Sequence, residues 1–317
     1  QELEAINGDL GQELSNLESK FRCAQEAALL SLSQRRCVSM EDSTIRAKFE
    51  TLQDQIRSWA RKYSASALAD LDQIPRESKT TILRLLGPMC ATSDWDILLE
   101  RLAVSQNRIP ALLMQALLAR HIMSEMFKNP FFAFVGSSDP WPSAAQLGHM
   151  YAVMKTVDQA EAHMWRSHTL QMFTDSSHPS LDLRVQKLSH FSRTMAARFL
   201  NCGGRHILRS IKDEDEERRR FKDLETVYRM AGDLALSLWT IRTDMRCLTL
   251  KHLPEFQSSN GLMCTHRLHQ LDEYDQRLDG QNVILCVQPA IVAYGNENGE
   301  HYDQSKVWAK SVMLMEE

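Results

Sequence analysis

The sequence lacks the features that identify several large classes of protein. It has no run approaching the roughly 18 consecutive apolar residues of a membrane-spanning helix, and its longest candidate, PALLMQALLA, ends at Arg120 and His121. It also has no excess of one charge, with 37 Lys+Arg against 41 Asp+Glu and a formal net charge of −4. We therefore expect no membrane partner. A local basic patch remains compatible with this balance.

Paired cysteines are also missing. The seven cysteines are scattered and contain no CxxC pair. An odd number of cysteines without short spacings argues against a disulfide framework, and thiols within helical or apolar stretches suit a reducing compartment. We therefore expect a cytoplasmic or nuclear protein.

Catalytic and nucleotide-binding motifs are absent as well. The sequence contains no GxSxG, HExxH or kinase signature. The segment NCGGRH (201–206) does not match a phosphate loop, and its glycine pair is typical of a helix end. We predict no catalytic residue and no cofactor, and the sequence leans away from an enzyme.

What is present begins with two interleaved heptad series in residues 1–30. One series is Leu3, Leu10, Leu17 and Ala24, and the other is Asn7, Leu14, Phe21 and Ala28. This spacing predicts a coiled coil in which a buried Asn7 sets the register. The predicted interface, with a protein partner or a second copy, consists of Leu3, Asn7, Leu10, Leu14, Leu17 and Phe21. The alternative is an amphipathic helix packed on its own domain, since Gly8 and Gly11 weaken an isolated helix.

A polar linker is predicted at 31–42, followed by a multi-helix domain at 43–280. The first helix of that domain carries an apolar stripe at steps of three and four residues, formed by Ile45, Phe49, Leu52, Ile56, Trp59 and Tyr63. The segment ALLMQALLARHIMSEMF is apolar almost all round, which is typical of a central helix in a bundle.

Two long helices are predicted further along this domain. Ser143 and Gln146 are expected to cap a helix that runs to about Phe173. Within 207–250, a second seam of alternating four- and three-residue steps consists of Val227, Ala231, Leu234, Leu238, Ile241, Met245 and Leu248. We expect this seam to dock on helices of the same domain.

The basic residues of segment 212–225 are expected to be neutralised locally. Arg218, Arg219 and Arg220 each follow an acidic residue by four positions, which is the favourable order for ion pairs on a helix. The sequence therefore predicts a solvated, ion-paired helix, and nucleic acid is not an expected partner of this segment.

The last forty residues change character. The segment NVILCVQPAIVAY is apolar and rich in β-branched residues, GNENGE is a turn cluster, and KVWAKSVMLM follows. We predict a β-hairpin over 281–317 that packs on the helical domain, with Pro289 at a bulge or an edge. The predicted fold class is therefore mainly α, with an N-terminal coiled-coil helix, a multi-helix globular domain and a small C-terminal β-hairpin.

An aromatic segment at 129–142 interrupts the helices with three prolines. Phe131, Phe132, Phe134 and Trp141 either fill the core of their own domain or line a groove for a partner, and we favour the core. If the protein is an enzyme, we expect its pocket near these aromatics, with a convergent polar cluster beneath them.

Segment CTHRLHQLDE contains the best candidate metal ligands, Cys264, His266, His269 and Glu273. In a helix, the two histidines and the glutamate share one face, and zinc accepts all three ligand types. A structural zinc site needs four placed ligands, and no second His/Cys pair stands out. We therefore favour a surface helix that carries two histidines.

Two stretches resemble a group of uncharacterised filamentous-fungal proteins. They are STIRAKFETLQDQIRSWARKYS (43–64) and VILCVQPAIVAYGNENGEHYD (283–303), which look like the start and end of the helical body in that group. These proteins often carry a coiled coil ahead of the body. The resemblance implies an intracellular protein with a helical body bounded by 43 and 317, and it implies no activity.

Together these patterns favour an interaction or scaffold protein that associates through a coiled coil. One alternative is a nuclear regulatory protein whose DNA-binding module lies upstream of Gln1, because the sequence does not begin with methionine. The other is an enzyme with a pocket in the helical domain.

Overall fold

The computed structural model describes residues 40–66, 71, 73–102, 104–134, 143–174, 180–271 and 275–316, besides the isolated Gln12 and Lys20. For residues 173–174 and 180–184 it describes the backbone alone. The chain divides into two units, Gln1–Ser39 and Met40–Glu317. The predicted coiled-coil interface lies outside the described residues, and the fold given below is that of the second unit.

This unit is mainly helical and ends in two small sheets. The helices are α1 (Asp42–Tyr63), α2 (Arg76–Leu86), α3 (Trp95–Arg101), α4 (Ile109–Ile122), α5 (Ala144–Val157), α6 (Gln159–Thr174), α7 (Ser180–Leu200) and α8 (Glu214–Trp239). The strands are β1 (Asp244–Leu248), β2 (Met263–Thr265), β3 (Val283–Gln288), β4 (Ala290–Tyr294), β5 (Ser305–Ala309) and β6 (Ser311–Met315).

The core is built around α1 and α4. The apolar stripe predicted on α1 is confirmed, because Ile45, Phe49, Leu52, Ile56, Trp59 and Tyr63 are all buried. The prediction that α4 is central is also confirmed, since its buried residues lie on every side of the helix. Pro110 stands in the first turn of α4, where its missing N–H breaks no helical hydrogen bond.

The single helix predicted from Ser143 to about Phe173 is wrong. Ser143 and Gln146 do form the expected capping box, but α5 ends at Val157 and α6 begins after Asp158. The Asp158 carboxylate accepts a hydrogen bond from the backbone N–H of Glu161 at 3.0 Å. The sequence D-Q-A-E is itself a capping signal, which therefore marks the helix break.

The second seam continues for a shorter distance than predicted. Val227, Ala231, Leu234 and Leu238 are buried within the body, as expected for a helix that docks on its own domain. However, α8 ends at Trp239, and Met245 and Leu248 belong to strand β1. Residue 280 is therefore not a boundary between helix and strand, because β1 and β2 both precede it.

The predicted C-terminal hairpin is confirmed, and it is bent so that it contributes to both sheets. Strand β3 pairs antiparallel with β6, and β4 pairs antiparallel with β5. Pro289 separates β3 from β4, at a position where its missing N–H interrupts no strand pairing. Strand β1 adds to β4 in an antiparallel pair, and β2 adds to β6 in a parallel pair.

The hairpin is firmly attached to the helices. All six residues of β3 are buried, which explains why this strand is an almost continuous apolar run. At the other end, the Asp42 carboxylate at the start of α1 accepts hydrogen bonds from Trp308 Nε1 at 3.0 Å and from Lys306 Nζ at 2.8 Å. The first helix and the last hairpin of the described body therefore contact each other directly.

The hairpin turn supplies a test of this fold. Gly295 has φ +85°, and an added Cβ would lie 2.7 Å from the Tyr302 ring. We expect Gly295→Ala to lower the free energy of unfolding by at least about 1–2 kcal/mol, because alanine disfavours this backbone conformation. Gly148→Ala is the matched control: it lies within α5 with open space at Cβ, and should raise stability by about 0.5–1 kcal/mol. Urea denaturation measures both free energies of unfolding. Equal effects of the two substitutions would contradict the backbone conformation of Gly295 at this turn.

Candidate functional site

A groove of about 670 Å³ runs between the end of α1, the start of α4 and the turn after β2. We call it the arginine groove, and its cationic residues are Arg57, Arg61, Lys62, Arg108, Arg209 and Arg267. They come from four separate parts of the chain. The sequence analysis allowed for a local basic patch but did not identify these residues.

The surrounding secondary structure places the cations in the groove. Arg57 and Arg61 are one helical turn apart on α1 and therefore project in the same direction. Arg267 follows His266, whose backbone N–H donates to the carbonyl oxygen of Met313 in β6 at 2.7 Å. The imidazole Nδ1 of His266 accepts a hydrogen bond from the backbone N–H of Leu268 at 3.3 Å, which fixes the turn.

Half of these cations have an acidic partner. Arg57 pairs with Asp54 at 2.7 Å and Lys62 with Asp223 at 2.9 Å, while Arg209 pairs with Glu216. The other half are Arg61, Arg108 and Arg267. The guanidinium groups of these three have neither an ion pair nor a hydrogen bond to any described residue.

The cations are close enough to affect one another. The pKa of Arg267 is lowered, first by the neighbouring Arg57 and then by burial, Arg61 and Arg108, while Asp54 opposes this shift. The pKa of His266 is lowered to about 4, mainly by burial and next by Arg57 and Arg267. His266 is therefore neutral at pH 7, and the positive charge of the groove comes from its arginines and Lys62.

Two further hydrogen-bond donors at the groove have no partner. Gln115 of α4 lines the groove and is 3% exposed, and its Nε2 has no hydrogen bond within the described chain. The buried Nε of Arg57 is also without one. Unpaired buried polar atoms are uncommon in folded proteins, and two of those in the described residues lie at this groove. The groove offers donors and positive charge, which suits it to hold an anion.

A second polar site lies in the interior, between α5, α6 and β1. We call it the Arg166 cluster, and it contains Tyr151, His163, Arg166 and Asp244. Arg166 and His163 are both 0% exposed. The Arg166 guanidinium donates to the carbonyl oxygens of Trp239 at 3.0 Å and Thr243 at 3.1 Å, and also to that of Ile241. It thereby holds the backbone that leads from α8 into β1.

The other Arg166 bonds fix the state of His163. Nη1 of Arg166 donates to the Tyr151 hydroxyl at 2.8 Å and to His163 Nδ1 at 3.1 Å. Since arginine has no acceptor, Nδ1 must accept, and the neutral imidazole carries its proton on Nε2. The pKa of His163 is lowered to about 3, first by burial and then by Arg166.

Asp244 completes the cluster at the edge of a cleft of about 540 Å³. Its carboxylate accepts from Lys155 Nζ and pairs with Arg246 Nη2, both at 2.9 Å. Burial raises the pKa of Asp244, but the bonds to Lys155 and Arg246 outweigh it and the net pKa is lowered. In the same cleft, burial raises the pKa of Cys247 to about 12, so this thiol remains protonated at neutral pH.

This cluster lies where the enzyme alternative requires one. The Phe131 ring is 6.2 Å from the Tyr151 ring and 5.6 Å from that of Trp165. The groups of the cluster are nevertheless bonded to one another and to the backbone, and His163 has no exposed surface. A general base must reach a substrate. The Arg166 cluster is therefore suited to holding the fold together.

The aromatic segment itself fills the core. Phe131, Phe132 and Phe134 are buried, which confirms the favoured interpretation for these three side chains. Trp141 lies outside the described residues.

The surface helix favoured for segment 264–273 is wrong, because His266 and His269 are buried and lie outside any α-helix. Cys264 lies in β2 and His269 in a short 3-10 turn, so the ligands do not share a helical face. Cys264 donates to the carbonyl oxygen of Ser311 at 3.4 Å, and His269 Nε2 accepts from the backbone N–H of Met315 at 3.2 Å. In the part of the chain that is described, no three His, Cys, Asp or Glu residues are arranged to hold a metal ion. Glu273 is not among those residues.

The acidic and basic run at the start of α8 forms the predicted ion pairs. Arg218 pairs with Asp215 at 2.9 Å, and Arg220 pairs with Glu217 at 3.0 Å. The expectation of a self-neutralising helix is confirmed. Arg218 makes the predicted four-residue pair with Glu214 at 3.9 Å, and the closer pairs are three residues apart. None of the described helices is long and apolar enough to span a membrane.

The Arg166 cluster predicts a large effect on stability. Arg166→Met removes the donor for three backbone carbonyls and leaves Tyr151 and His163 without their common partner. We expect a loss of about 3–5 kcal/mol in the free energy of unfolding. Arg218→Met, at a side chain that is 73% exposed, should change it by less than about 0.5 kcal/mol. Guanidinium denaturation compares the two, and a similar small effect of both would contradict a structural role for Arg166.

Three histidines predict how stability depends on pH. Burial, together with nearby positive charge, lowers the pKa of His121 to about 4, of His163 to about 3 and of His266 to about 4. Between pH 6.5 and these values, the unfolded chain binds protons that the folded chain does not. Stability should therefore fall as pH decreases, by up to about 1.4 kcal/mol per pH unit for each histidine.

Urea denaturation between pH 7.5 and pH 5 measures this slope. His121→Gln should make it shallower, whereas His149→Gln, at an exposed position of α5, should leave it unchanged. Stability that rises on acidification, or an unchanged slope in His121→Gln, would contradict the assignment.

No protein-family model matches the chain, and neither a curated protein nor a solved structure is similar to it.

Proposed function

We propose that this chain is an interaction or scaffold protein that associates through a coiled coil formed by residues 1–30. The observation that carries this proposal is the pair of interleaved heptad series, which persists over four heptads. Its interface consists of Leu3, Asn7, Leu10, Leu14, Leu17 and Phe21. Burial of such a stripe contributes roughly 25 cal/mol per Å² of apolar area, and a buried Asn7 selects the register of the partner helix.

The folded body supports this proposal by contrast. The seam of α8 has similar spacing, and its apolar residues are covered by the body's own helices. The described body thus uses helical stripes to build its core. The heptads at 1–30 belong to a separate unit of the chain, Gln1–Ser39. A heptad stripe in a separate unit is what association with another helix requires.

The partner is a second copy of this chain or another protein with a complementary heptad stripe. We place the protein in the cytoplasm or the nucleus. The cysteines support a reducing compartment, because Cys90, Cys202, Cys247, Cys264 and Cys286 are all free thiols. A nuclear regulatory role would use the same coiled coil, and imaging of a tagged chain separates the two locations.

Leu14→Asp tests the proposal directly. A carboxylate at the centre of the seam would have to be buried without a partner, so we expect association to be lost. Ser19→Asp is the matched control, because it adds the same charge at a heptad position that faces away from the seam. Analytical ultracentrifugation of the full chain should show an oligomer for the native sequence and Ser19→Asp, and a 36.4 kDa monomer for Leu14→Asp.

If the coiled coil forms only with another protein, the native chain is monomeric. The same variants are then compared for their binding of a partner protein that was recovered with the native chain. Retention of that partner by Leu14→Asp, or an oligomer of the same mass for all three proteins, would contradict the proposal.

A further inference from the structure

We infer that the arginine groove binds a small soluble molecule that carries two or more phosphate groups. This inference concerns the folded body and is independent of the coiled coil.

The charge of the groove is the first argument. Asp54, Asp223 and Glu216 partner three of its six cations, and the guanidinium groups of Arg61, Arg108 and Arg267 have no partner within the described residues. Like charges placed together repel each other unless a counter-charge is present. The pKa of Arg267 is lowered, with the charge of Arg57 as the largest cause. A bound anion would supply the counter-charge that the described residues do not provide.

The available donors are the second argument. Arginine presents N–H groups in a planar fork that matches two oxygens of one phosphate. Three unpaired forks exceed what a single carboxylate can satisfy with its two oxygens. The unpaired amide of Gln115 lies at the same groove, and it is also a donor. This set of donors favours a ligand with several phosphate oxygens.

The shape of the groove sets the size of the ligand. Its volume of about 670 Å³ lies within the usual range for small-molecule sites. Ala111, Leu112 and Leu268 line part of it, so a non-polar portion of the ligand has a surface to contact. A compact organic phosphate therefore fits both the polar and the apolar sides.

The surroundings argue against an extended polyanion. The first turn of α8 contains Glu214, Asp215, Glu216 and Glu217, and Glu216 pairs with Arg209 at the groove. The whole chain has a net charge of −4. A nucleic acid or an anionic membrane needs a continuous positive surface, and the start of α8, where acidic and basic side chains pair with one another, does not supply it. A small ligand needs no such surface.

Isothermal titration calorimetry of the full chain with tripolyphosphate tests this inference. We expect one site per chain, weaker binding at higher ionic strength, and weaker binding of orthophosphate than of tripolyphosphate. The Arg61→Gln/Arg267→Gln variant should lose at least about tenfold in affinity, because each substitution removes a charge-assisted contact. ATP serves as a second probe that has an organic portion.

The matched control is Arg218→Gln/Arg219→Gln, which removes the same charge from exposed positions of α8. It should stay within about twofold of the native affinity, since those arginines lie outside the groove. Thermal unfolding of both variants confirms that they are folded.

Three results would overturn the inference. They are no binding of either probe, equal weakening by the two double variants, and binding of single-stranded DNA or anionic vesicles without binding of tripolyphosphate. None of these results depends on whether the chain associates through residues 1–30.

Discussion

The described body depends on the burial of one guanidinium group, that of Arg166. This side chain is 0% exposed, and it donates to three backbone carbonyls that lead from α8 into β1. A buried arginine is tolerated only when its donors are satisfied, so the backbone from Trp239 to Thr243 must keep this conformation. The end of α8 and the start of β1 are fixed together as a result.

The position of β1 has consequences for the arginine groove. Strand β1 pairs with β4, which continues through Pro289 into β3, and β3 pairs with β6. Strand β6 in turn pairs with β2, and the turn after β2 carries Arg267 into the groove. The two arginine sites thus use opposite solutions. Arg166 is stabilised by carbonyl dipoles inside the fold, whereas Arg61, Arg108 and Arg267 have no acidic partner among the described residues.

Local patterns predicted the parts of the fold that local patterns determine. The stripe of α1, the all-round apolar character of α4 and the bent hairpin were readable because burial sets their periodicity. The apolar residues of the second seam, spaced by four and three, predicted a helix as far as Leu248. This spacing does not reveal that Arg166 turns the backbone at Trp239. That contact joins residues 73 positions apart. The break between α5 and α6 at Asp158 is a local feature, because the D-Q-A-E capping signal that marks it is present in the sequence.

The candidate sites were less accessible to sequence reasoning. The arginine groove assembles from four segments, and each of its arginines is unremarkable beside its own neighbours. A helix was expected over 264–273, whereas pairing with β6 makes Cys264 part of a strand. The resemblance to fungal proteins implied a helical body, in agreement with the fold described here, and it implied nothing about either polar site.

The fold holds Arg61, Arg108 and Arg267 together with no acidic partner among the described residues, and we infer that an anion binds there. A crystal structure of the full chain grown with selenate, whose selenium can be located by anomalous scattering, is the decisive test. We expect a selenate in the arginine groove within hydrogen-bond distance of at least two of these guanidinium groups. An empty groove beside occupied selenate sites elsewhere, or carboxylates of the chain itself paired with these arginines, would contradict it.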